Sequence, residues 1–498
     1  MKIKSIVFSL IIISSFLIFF PSDICKASGN NLYVGGSGSG NYSSIQAAIE
    51  DASPGDIIFI YIGTYHENVE IDKSIELRGE EKNLTIIDGG NNDHTIAIYA
   101  DNVKINGFTI QNGYFYGISI DSFNYSIISN NKILKNYDGI NLRYSNNNII
   151  SNNIILDNQW SSIKVYKSKN NEIKDNVFSN NSQGLGIYSS NNTIVTGNSF
   201  LKDGISVGWS YNSTVLNNFV DSKPIIYLER ESNEIIQGQI GQVILVNCDN
   251  ITIQNTKISN TTIGIDLWNT TNCLITGNII KFNSYAGIYQ YYSDNNTISN
   301  NIISDINDFA EGIAGQGLHL SLSTNNYLFN NSISKSKYGV YSWSGNKNNI
   351  LENDIYDNHH GLYLQDCQYN IIRGNSINSN SLYGIFFYSS ENNTIFKNGI
   401  NYSKNGIEIR WKSNSNNVSE NIFKENDIGI CVSDNTSINN IFSGNIFLNN
   451  NENIFFNQND LEKDKTENKK DKGIPGFELL IILVALAFII YFNRRKIT

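Results

Sequence analysis

Aromatic and acidic residues recur at a regular interval in the second half of the chain. They occupy the second and fourth positions after glycines that open short apolar segments, such as GIDLW and GVYSW. These positions, with the tryptophan that follows the last of them, supply Asp266, Trp268, Tyr289, Tyr291, Tyr341, Trp343, Tyr363, Tyr388, Glu408, Arg410 and Trp411. Aromatic rings stack on the apolar faces of sugars, while flanking polar groups bind the hydroxyls. The pattern therefore predicts a carbohydrate-binding surface.

The same pattern has a second interpretation. Aromatic residues favour β-strands, and their cross-strand stacking stabilises an exposed sheet without any ligand. In the first half of the chain the equivalent positions hold mostly small or polar residues, such as Ser119, Asn141 and Ser206. Carbohydrate contact and strand stabilisation both stay open at this point.

Three acids in this half of the chain are candidates for catalysis: Asp266, Asp366 and Glu408. Asp366 and Glu408 are two repeats apart, which in stacked strands corresponds to about 10 Å. An inverting glycosidase holds its carboxyl groups roughly 6.5–9.5 Å apart. This spacing favours binding over catalysis, and an enzyme would be a carbohydrate-active lyase or glycosidase.

The elements that must position these residues are short strands with a common period. The opening glycines mostly recur every 22 or 23 residues, and a separate asparagine column has the same period. Three short strands separated by polar turns make one coil of a parallel β-helix, whose coils stack about 4.8 Å apart. The sequence thus predicts an all-β solenoid of fifteen or sixteen coils over residues 42–456.

The asparagine column is predicted to be structural. Asparagine adopts left-handed turn geometry and bonds to nearby backbone, and stacked amides can form a ladder from coil to coil. The predicted ladder contains Asn131, Asn153, Asn176, Asn198, Asn218, Asn278, Asn301, Asn331, Asn353, Asn375, Asn398, Asn421 and Asn445.

Further segments flank the predicted solenoid. Residues 1–27 have the layout of a secretory signal peptide, and 28–41 are predicted to be a flexible leader. YSSIQAAIEDASPGD at 42–56 predicts a short amphipathic helix that caps the open edge of the first coil. Residues 457–473 are predicted to be a charged linker, and 474–498 combine an IPGF motif, an apolar transmembrane helix and a basic tail.

Composition excludes several classes of function. The net charge of −10 argues against a nucleic-acid partner, which would require a basic surface. The five cysteines show neither CxxC spacing nor dense pairing, so no disulfide framework is expected. No compact cluster of acids of the kind that Ca²⁺ needs is visible, and we expect neither a metal nor another cofactor. Asn-x-Ser/Thr sequons, among them Asn83 and Asn124, suit a glycosylated exterior protein.

Several phrases of the chain resemble a known family. SIQAAIEDASPGDIIFIYIGTYHENVEIDKSIELRG, followed by VKINGFTI, SKPIIYL and GQVILVNC, is similar to the NosD-like carbohydrate-binding and sugar-hydrolase (CASH) group. The resemblance covers residues 40–456 and implies a right-handed, single-stranded parallel β-helix of pectin-lyase type, together with carbohydrate contact. It does not fix an activity, because this fold carries both enzymes and binding proteins. The IPGF motif resembles the archaeal PGF-type sorting signal, which implies a tail replaced by a lipid anchor.

The proteins that name the NosD-like group assist copper delivery, and copper sites need clustered Cys, His or Met. Here Met1 is the only methionine, and the histidines are scattered apart from one pair at a turn: His66, His94, His319 and the pair His359 and His360. The sequence argues against copper delivery.

The sequence therefore predicts a secreted protein on the extracellular face of the membrane, held there by its C-terminal helix or a lipid anchor. The leading functional hypothesis is binding of glycans or cell-envelope polysaccharide along the aromatic columns. A polysaccharide lyase or glycoside hydrolase is the second hypothesis, and a structural or adhesive rod is the third.

Overall fold

The computed structural model describes residues 29–306 and 314–456. Their strands form a parallel β-helix of about nineteen turns. The predicted signal peptide, charged linker and C-terminal helix lie outside the described residues. Within the described ranges, no helix is both long and apolar enough to cross a membrane.

The turns form two stacks, which we call solenoid 1 (residues 31–220) and solenoid 2 (residues 223–456). They meet at a tight reversal, where Phe219–Val220 pairs antiparallel with the start of Lys223–Glu229. The two residues between these strands, Asp221 and Ser222, both have positive φ. The sequence predicts fifteen or sixteen coils and leaves open whether residues 221–247, where the glycine column lapses, continue the coil or protrude from it. The structure has about nineteen turns, and the chain reverses at the start of this segment.

Solenoid 1 has three sheets, A, B and C. Sheet A contains Asn31–Val34, Ile57–Ile60, Glu76–Gly79, Lys104–Asn106, Ile127–Ser129, Ile149–Ser151, Glu172–Lys174, Ile194–Thr196 and Thr214–Leu216. Sheet B contains Gly63–Tyr65, Thr85–Asp88, Thr109–Gln111, Lys132–Leu134, Ile154–Leu156, Val177–Ser179, Ser199–Leu201 and Phe219–Val220. Sheet C contains Val69–Ile71, Ile96–Ile98, Tyr116–Asp121, Asp138–Arg143, Ser161–Tyr166, Gln183–Tyr188 and Ile205–Gly208.

Solenoid 2 has sheets D, E and F. Sheet D contains Lys223–Glu229, Gln242–Val246, Ile263–Trp268, Ala286–Tyr291, Gln316–Ser321, Tyr338–Trp343, His360–Gln365, Tyr383–Tyr388, Asn405–Arg410, Ile428–Val432 and Glu452–Phe456. Sheet E contains Ile235–Gly238, Thr252–Ser259, Leu274–Thr276, Thr297–Ser299, Tyr327–Phe329, Asn349–Leu351, Ile371–Arg373, Thr394–Phe396, Asn417–Ser419 and Ile441–Ser443. Sheet F shares Thr252–Ser259 and adds Ile279–Lys281, Ile302–Ile306, Ser332–Ser336, Asp354–Tyr356, Ser376–Asn378, Gly399–Asn401, Ile422–Lys424 and Ile446–Leu448.

Each solenoid encloses a core of stacked apolar side chains. Successive residues of a strand point to opposite faces, so every second residue enters the core. In solenoid 2, Ile275, Ile298 and Leu328 stand in register on neighbouring turns and are fully buried. A single turn would leave this face in water, and stacking is therefore required for stability.

The first turn differs in part from the prediction. The expected capping helix is present as Ile45–Asp51, with the Ser44 side chain accepting a hydrogen bond from Ala47 N–H at its start. Ile45 and Ile49 are fully buried against the first turn. The predicted flexible leader is partly structured, because Asn31–Val34 pairs with Ile57–Ile60 and begins sheet A.

The thirteen predicted ladder asparagines lie in two stacks, five in solenoid 1 and eight in solenoid 2. Asn301 shows the arrangement. Its Oδ1 accepts from both the backbone N–H and Nδ2 of Asn278, at 3.0 and 2.9 Å. Its Nδ2 donates to the carbonyl of Ile275 at 2.9 Å and to Oδ1 of Asn331 at 3.0 Å. The amide thus satisfies buried backbone groups at a corner where no strand can reach them.

Removing one rung should destabilise the fold. Asn301→Ala leaves the backbone N–H of Asn278 and the carbonyl of Ile275 buried without their partners, at about 1–3 kcal/mol for each unsatisfied group. We expect the free energy of unfolding in urea to fall by at least about 2 kcal/mol. Asn435→Ala, at an exposed turn of the same solenoid, should change it by less than about 0.5 kcal/mol. Equal effects of the two substitutions would contradict a structural role for the ladder.

Candidate functional site

The outer face of sheet D covers the end of sheet C. The last strand of sheet C, Ile205–Gly208, has a free edge, and side chains from solenoid 2 bind its backbone. Gln242 Oε1 accepts from Ile205 N–H at 2.9 Å, and Gln242 Nε2 donates to the Ile205 carbonyl at 2.7 Å. Asp266 Oδ2 accepts from Val207 N–H at 3.5 Å. This contact, which we call the junction, joins the two solenoids.

Apolar side chains complete the junction. Val246 and Trp268 point outward from sheet D, yet they pack into the core of solenoid 1. The Trp268 ring lies 4.5 Å from that of Trp209 and stacks on Tyr291 with a centroid distance of 4.7 Å. Trp268 is 4% exposed and Tyr291 is 3% exposed. These two predicted sugar-binding residues therefore hold the solenoids together and do not form part of an open surface.

A cleft opens beside the junction, between the outer faces of sheets C and D. About 540 Å³ of space in and above the cleft is free of protein atoms, a figure that includes open solvent, and the cavity itself has a volume of about 50 Å³. Solenoid 1 and solenoid 2 both line it, with Trp160, Gln183, Tyr188, Ser206, Val207, Gly208 and Trp209 on one side and Ile263, Asp266, Trp268, Tyr285, Tyr289 and Tyr291 on the other. We call this the junction cleft.

Asp266 is the one carboxylate among the residues that line the junction cleft. It is 3% exposed, and its hydrogen bond from Val207 N–H is long. Burial raises the pKa of Asp266 to about 7, and the Val207 N–H offsets only part of this effect. Its carboxyl group therefore changes charge near neutral pH.

Beyond the junction, sheet D carries a continuous layer of rings, which we call the aromatic surface. Its central column contains Tyr341, Tyr363 and Phe386 on three successive turns, with centroid distances of 5.3 and 4.7 Å. Tyr341 and Phe386 are each 5% exposed, because neighbouring rings cover them. The side chains of this column point outward as predicted, but the rings of Tyr341 and Phe386 are too covered to contact a ligand.

A parallel column lies at the residue before each glycine and was not part of the sequence prediction. It contains Tyr338, His360 and Tyr383, whose rings stand 5.0 and 5.2 Å apart. His360 begins a strand and is buried, so the prediction of a pair of exposed turn histidines is wrong for this residue. Burial lowers the pKa of His360 to about 3 and keeps the imidazole neutral. Strict alternation would place Tyr338 on the same side as Val340, which lies in the core, so alternation alone points this column in the wrong direction. The recurrence of a ring immediately before the glycine is the signal that could have identified it.

The accessible edge of the aromatic surface combines residues at the fourth position after a glycine with Tyr363, at a second position in the central column, and Trp411, at a fifth position. Trp343, Tyr363 and Tyr388 are half-buried, and Trp411 is 43% exposed, with its ring 5.9 Å from that of Tyr388. Gln365 lies between the strands of Trp343 and Tyr388, and its Oε1 accepts a hydrogen bond from the Tyr341 hydroxyl at 3.2 Å. Ring faces and polar groups are thus available side by side.

Glu408 is fully buried at the far end of the aromatic surface. Its carboxylate accepts from Asn405 Nδ2 at 2.5 Å and from Arg410 Nε at 2.6 Å, and it also accepts from the Ser433 hydroxyl. With its oxygens engaged in this way, Glu408 orients Arg410 and is not a free acid.

The three candidate acids occupy different environments. Asp366 is exposed at the turn after His360–Gln365, Glu408 is buried in an ion pair, and Asp266 faces the junction cleft. Asp366 and Glu408 also belong to different positions of their turns, because Gln365 is in register with Arg410 through Tyr388. The structure therefore shows no facing pair of carboxylates among these three residues.

The stability of the junction should depend on pH through Asp266. Its pKa in the folded protein, about 7, lies above the ordinary value of 3.8. Stability that is present below pH ~4 is therefore lost as the pH rises toward ~7. Asp266→Asn removes this loss. The melting temperature of the variant minus that of the wild type should therefore be larger at pH ~8.5 than at pH ~5.

Differential scanning calorimetry at both pH values measures this gain. Asp354→Asn, a change of the same type at an exposed position on sheet F, serves as the control and should show a much smaller pH-dependent difference. If the Asp266→Asn difference is the same at both pH values, the carboxyl group is not buried as described.

Comparison with known proteins identifies a family. The family model described as "Periplasmic copper-binding protein (NosD)" matches residues 49–235, 217–349 and 306–474. A comparison with curated proteins found no match.

Many solved structures are similar to parts of this chain. An alginate lyase from a Paenibacillus species is 15% identical, with a TM-score of 0.31 over 52% of this chain and 91% of the lyase. A periplasmic alginate epimerase is 13% identical, with a TM-score of 0.33 over 84% of each chain. A DFA-IIIase from Arthrobacter chlorophenolicus is 14% identical, with a TM-score of 0.35 over 65% of this chain and 95% of the enzyme. These likenesses concern the fold alone.

Proposed function

We propose, from the premise that this chain belongs to the NosD family, that it binds a carbohydrate polymer on the aromatic surface of sheet D. The observation that carries the proposal is the half-buried edge of this surface, formed by Trp343, Tyr363, Tyr388 and Trp411. These rings recur on successive turns at the spacing of stacked strands, about 4.8 Å. A polymer lying along the solenoid axis would therefore meet a ring at each step.

The polar groups of the same edge suit hydroxyl recognition. Gln365 has an amide that both donates and accepts, and Arg410 places a guanidinium group, oriented by Glu408, at the same edge. Asp366 adds an exposed acceptor at the adjoining turn. Sugars present both C–H faces and hydroxyls, and sites that bind them combine rings with a few oriented polar groups.

Binding is favoured over cleavage by the state of the acids. Cleavage of a glycosidic bond by the usual acid and base mechanism needs two carboxyl groups on opposite sides of one bond. Glu408 is held by Asn405, Arg410 and Ser433, and Asp366 stands apart from it at a turn. The aromatic surface thus has the parts of a binding site without a matched catalytic pair.

Copper binding, which the family description names, does not fit the described residues. Within residues 29–306 and 314–456, no group of three or more His, Cys, Asp or Glu could hold a metal ion. The four described cysteines are buried, and burial raises the pKa of Cys367 to about 11, which disfavours the thiolate that binds copper. We therefore assign no step to copper.

The family description also supports a place outside the cytoplasm. A binding surface for envelope polymers would meet its ligand there. Attachment to the membrane through residues 474–498 remains part of the proposal and concerns residues outside the described ranges.

Truncating the edge rings should weaken carbohydrate binding. A glycan array identifies the ligand of the wild type. Trp343→Ala and Tyr388→Ala should each lower the affinity for that ligand by about tenfold, or about 1.4 kcal/mol. Tyr327→Ala is the matched control, because Tyr327 is 50% exposed on sheet E, away from the aromatic surface. The Tyr327→Ala variant should bind the array ligand with the affinity of the wild type.

Incubation of the array ligand with the protein, followed by mass analysis, separates the other hypotheses. Intact ligand supports binding alone, whereas shortened or unsaturated products would show a hydrolase or lyase. Absence of any array ligand, or equal losses in Trp343→Ala and Tyr327→Ala, would contradict the proposed surface and favour a structural rod.

A further inference from the structure

We propose that the junction cleft binds a quaternary ammonium group, held over the carboxylate of Asp266 by surrounding aromatic rings. This site is separate from the aromatic surface and does not depend on carbohydrate binding there. The ligand class is a trimethylammonium compound such as choline or one of its derivatives.

The walls of the junction cleft are aromatic on both sides. Trp160, Tyr188 and Trp209 line it from solenoid 1, and Tyr285 and Tyr289 line it from solenoid 2. All five are half-buried, so their rings are partly accessible from the cleft. An aromatic ring attracts a cation over its face, and a cage of several rings recognises methylated ammonium groups.

The position of Gly208 keeps the cleft open between two of these walls. A Cβ atom at Gly208 would lie 3.2 Å from Cδ1 of Tyr188 and 3.8 Å from Cζ3 of Trp268. Any larger side chain would therefore enter the space between solenoid 1 and solenoid 2. Glycine at this position preserves the room that a ligand needs.

Asp266 supplies the charge that distinguishes this cage from a neutral apolar pocket. Asp266 is only 3% exposed. None of the residues that line the cleft is Lys, Arg or His. An ionised carboxylate in such surroundings is costly unless a cation accompanies it. A quaternary ammonium can meet this need without donating a hydrogen bond, because the rings replace its hydration.

Besides Asp266, a second buried polar group belongs to a residue that lines the cleft, and this second group has no hydrogen-bond partner. Nε1 of Trp268 is buried and forms no hydrogen bond with any described atom. A buried indole N–H usually has a partner. An oxygen substituent next to the ammonium group, such as the hydroxyl of choline, is an acceptor of suitable chemistry.

The tyrosine hydroxyls near Asp266 remain neutral around physiological pH. Burial is the main cause that raises the pKa of the Tyr188, Tyr289 and Tyr291 hydroxyls above their ordinary value, and the charge of Asp266 adds to this effect for Tyr188 and Tyr289. Tyr285 also faces Tyr289, and the more distant Asp138 acts on Tyr188. Burial also raises the pKa of Asp138 to about 6 and that of Asp203, beside Gly204, to about 8, so both change charge between pH ~5.5 and ~8.5. The part of the pH dependence that Asp266→Asn abolishes is therefore the part that belongs to Asp266.

Isothermal titration calorimetry with the full chain tests the proposal. Choline and its neutral carbon isostere, dimethylbutanol, have the same shape and differ in charge. At pH ~8.5 we expect choline to bind at least about tenfold more tightly than the isostere, and the choline affinity to fall about fivefold or more at pH ~5.5, where Asp266 is protonated. Tetramethylammonium should follow the same pH dependence.

Two variants locate the site. Asp266→Asn keeps the shape of the side chain and should remove the preference for choline over the isostere. The control Asp354→Asn, at an exposed position on sheet F, should bind choline as the wild type does. Trp160→Ala removes one aromatic wall of the cleft and should lower the affinity for choline by about fivefold or more. Thermal unfolding of each variant establishes that it is folded before binding is compared.

Comparison of choline, phosphocholine and glycine betaine distinguishes possible sources of the ammonium group. Tightest binding of phosphocholine would identify a headgroup or a decorated polymer, and tightest binding of choline would identify the free compound; both results support the cage. Equal binding of choline and its isostere, binding that Asp266→Asn leaves intact, or no binding by the folded wild type would each overturn the proposal. Loss of carbohydrate binding in Trp343→Ala is a separate result and does not bear on this site.

Discussion

The free edge of a parallel strand must find partners for its backbone, and this requirement determines how the two solenoids meet. Sheet C ends at Ile205–Gly208, and Gln242 and Asp266 on the outer face of sheet D bind the amides of that strand. Buried N–H groups without partners are costly, so the junction satisfies a demand that the reversal of the chain creates. Because Asp266 serves this edge, a carboxyl group is buried among aromatic rings.

The junction also divides one repeated surface into two environments. The same outward positions of sheet D carry Trp268 and Tyr291 near the junction and Trp343 and Tyr388 farther along. The first two pack against solenoid 1, and the second two remain half-buried on the outside. Strand stabilisation and ligand binding are therefore not exclusive interpretations of the aromatic columns, since buried central rings support an accessible edge.

Much of the fold could be predicted from periodicity. The ladder positions of Asn301 and Asn331 follow from a column that repeats with the coil, and the alternation of each strand identifies the outward direction of Tyr341. These are local properties that every turn repeats. The lapse of the glycine column around 221–247 marked an interruption, but the hairpin depends on two positive φ angles, at Asp221 and Ser222, that glycine would normally supply.

The candidate sites were less predictable, because alternation tells which way a side chain points but not what covers it. Asp266 and Asp366 are both acids near the outer face, yet one is buried by solenoid 1 and the other is exposed. Glu408 appeared as a surface acid, but Asn405 on its own strand and Ser433 on the next turn hold its carboxylate. Contacts within a turn, between neighbouring turns and between the two solenoids decide these differences.

A disulfide engineered across the junction tests most directly whether solenoid 2 closes the end of solenoid 1. A Cβ atom on Gly204 would lie 2.1 Å from Oγ1 of Thr261. The Cβ positions of residues 204 and 261 are therefore at most about 3.5 Å apart, at the short end of the range found in disulfides. The double variant Gly204→Cys, Thr261→Cys should form this bond under mild oxidation, and peptide mass spectrometry should detect the linked fragments, which neither single variant yields. If the folded, oxidised double variant retains two free thiols at these positions, the solenoids do not meet as described.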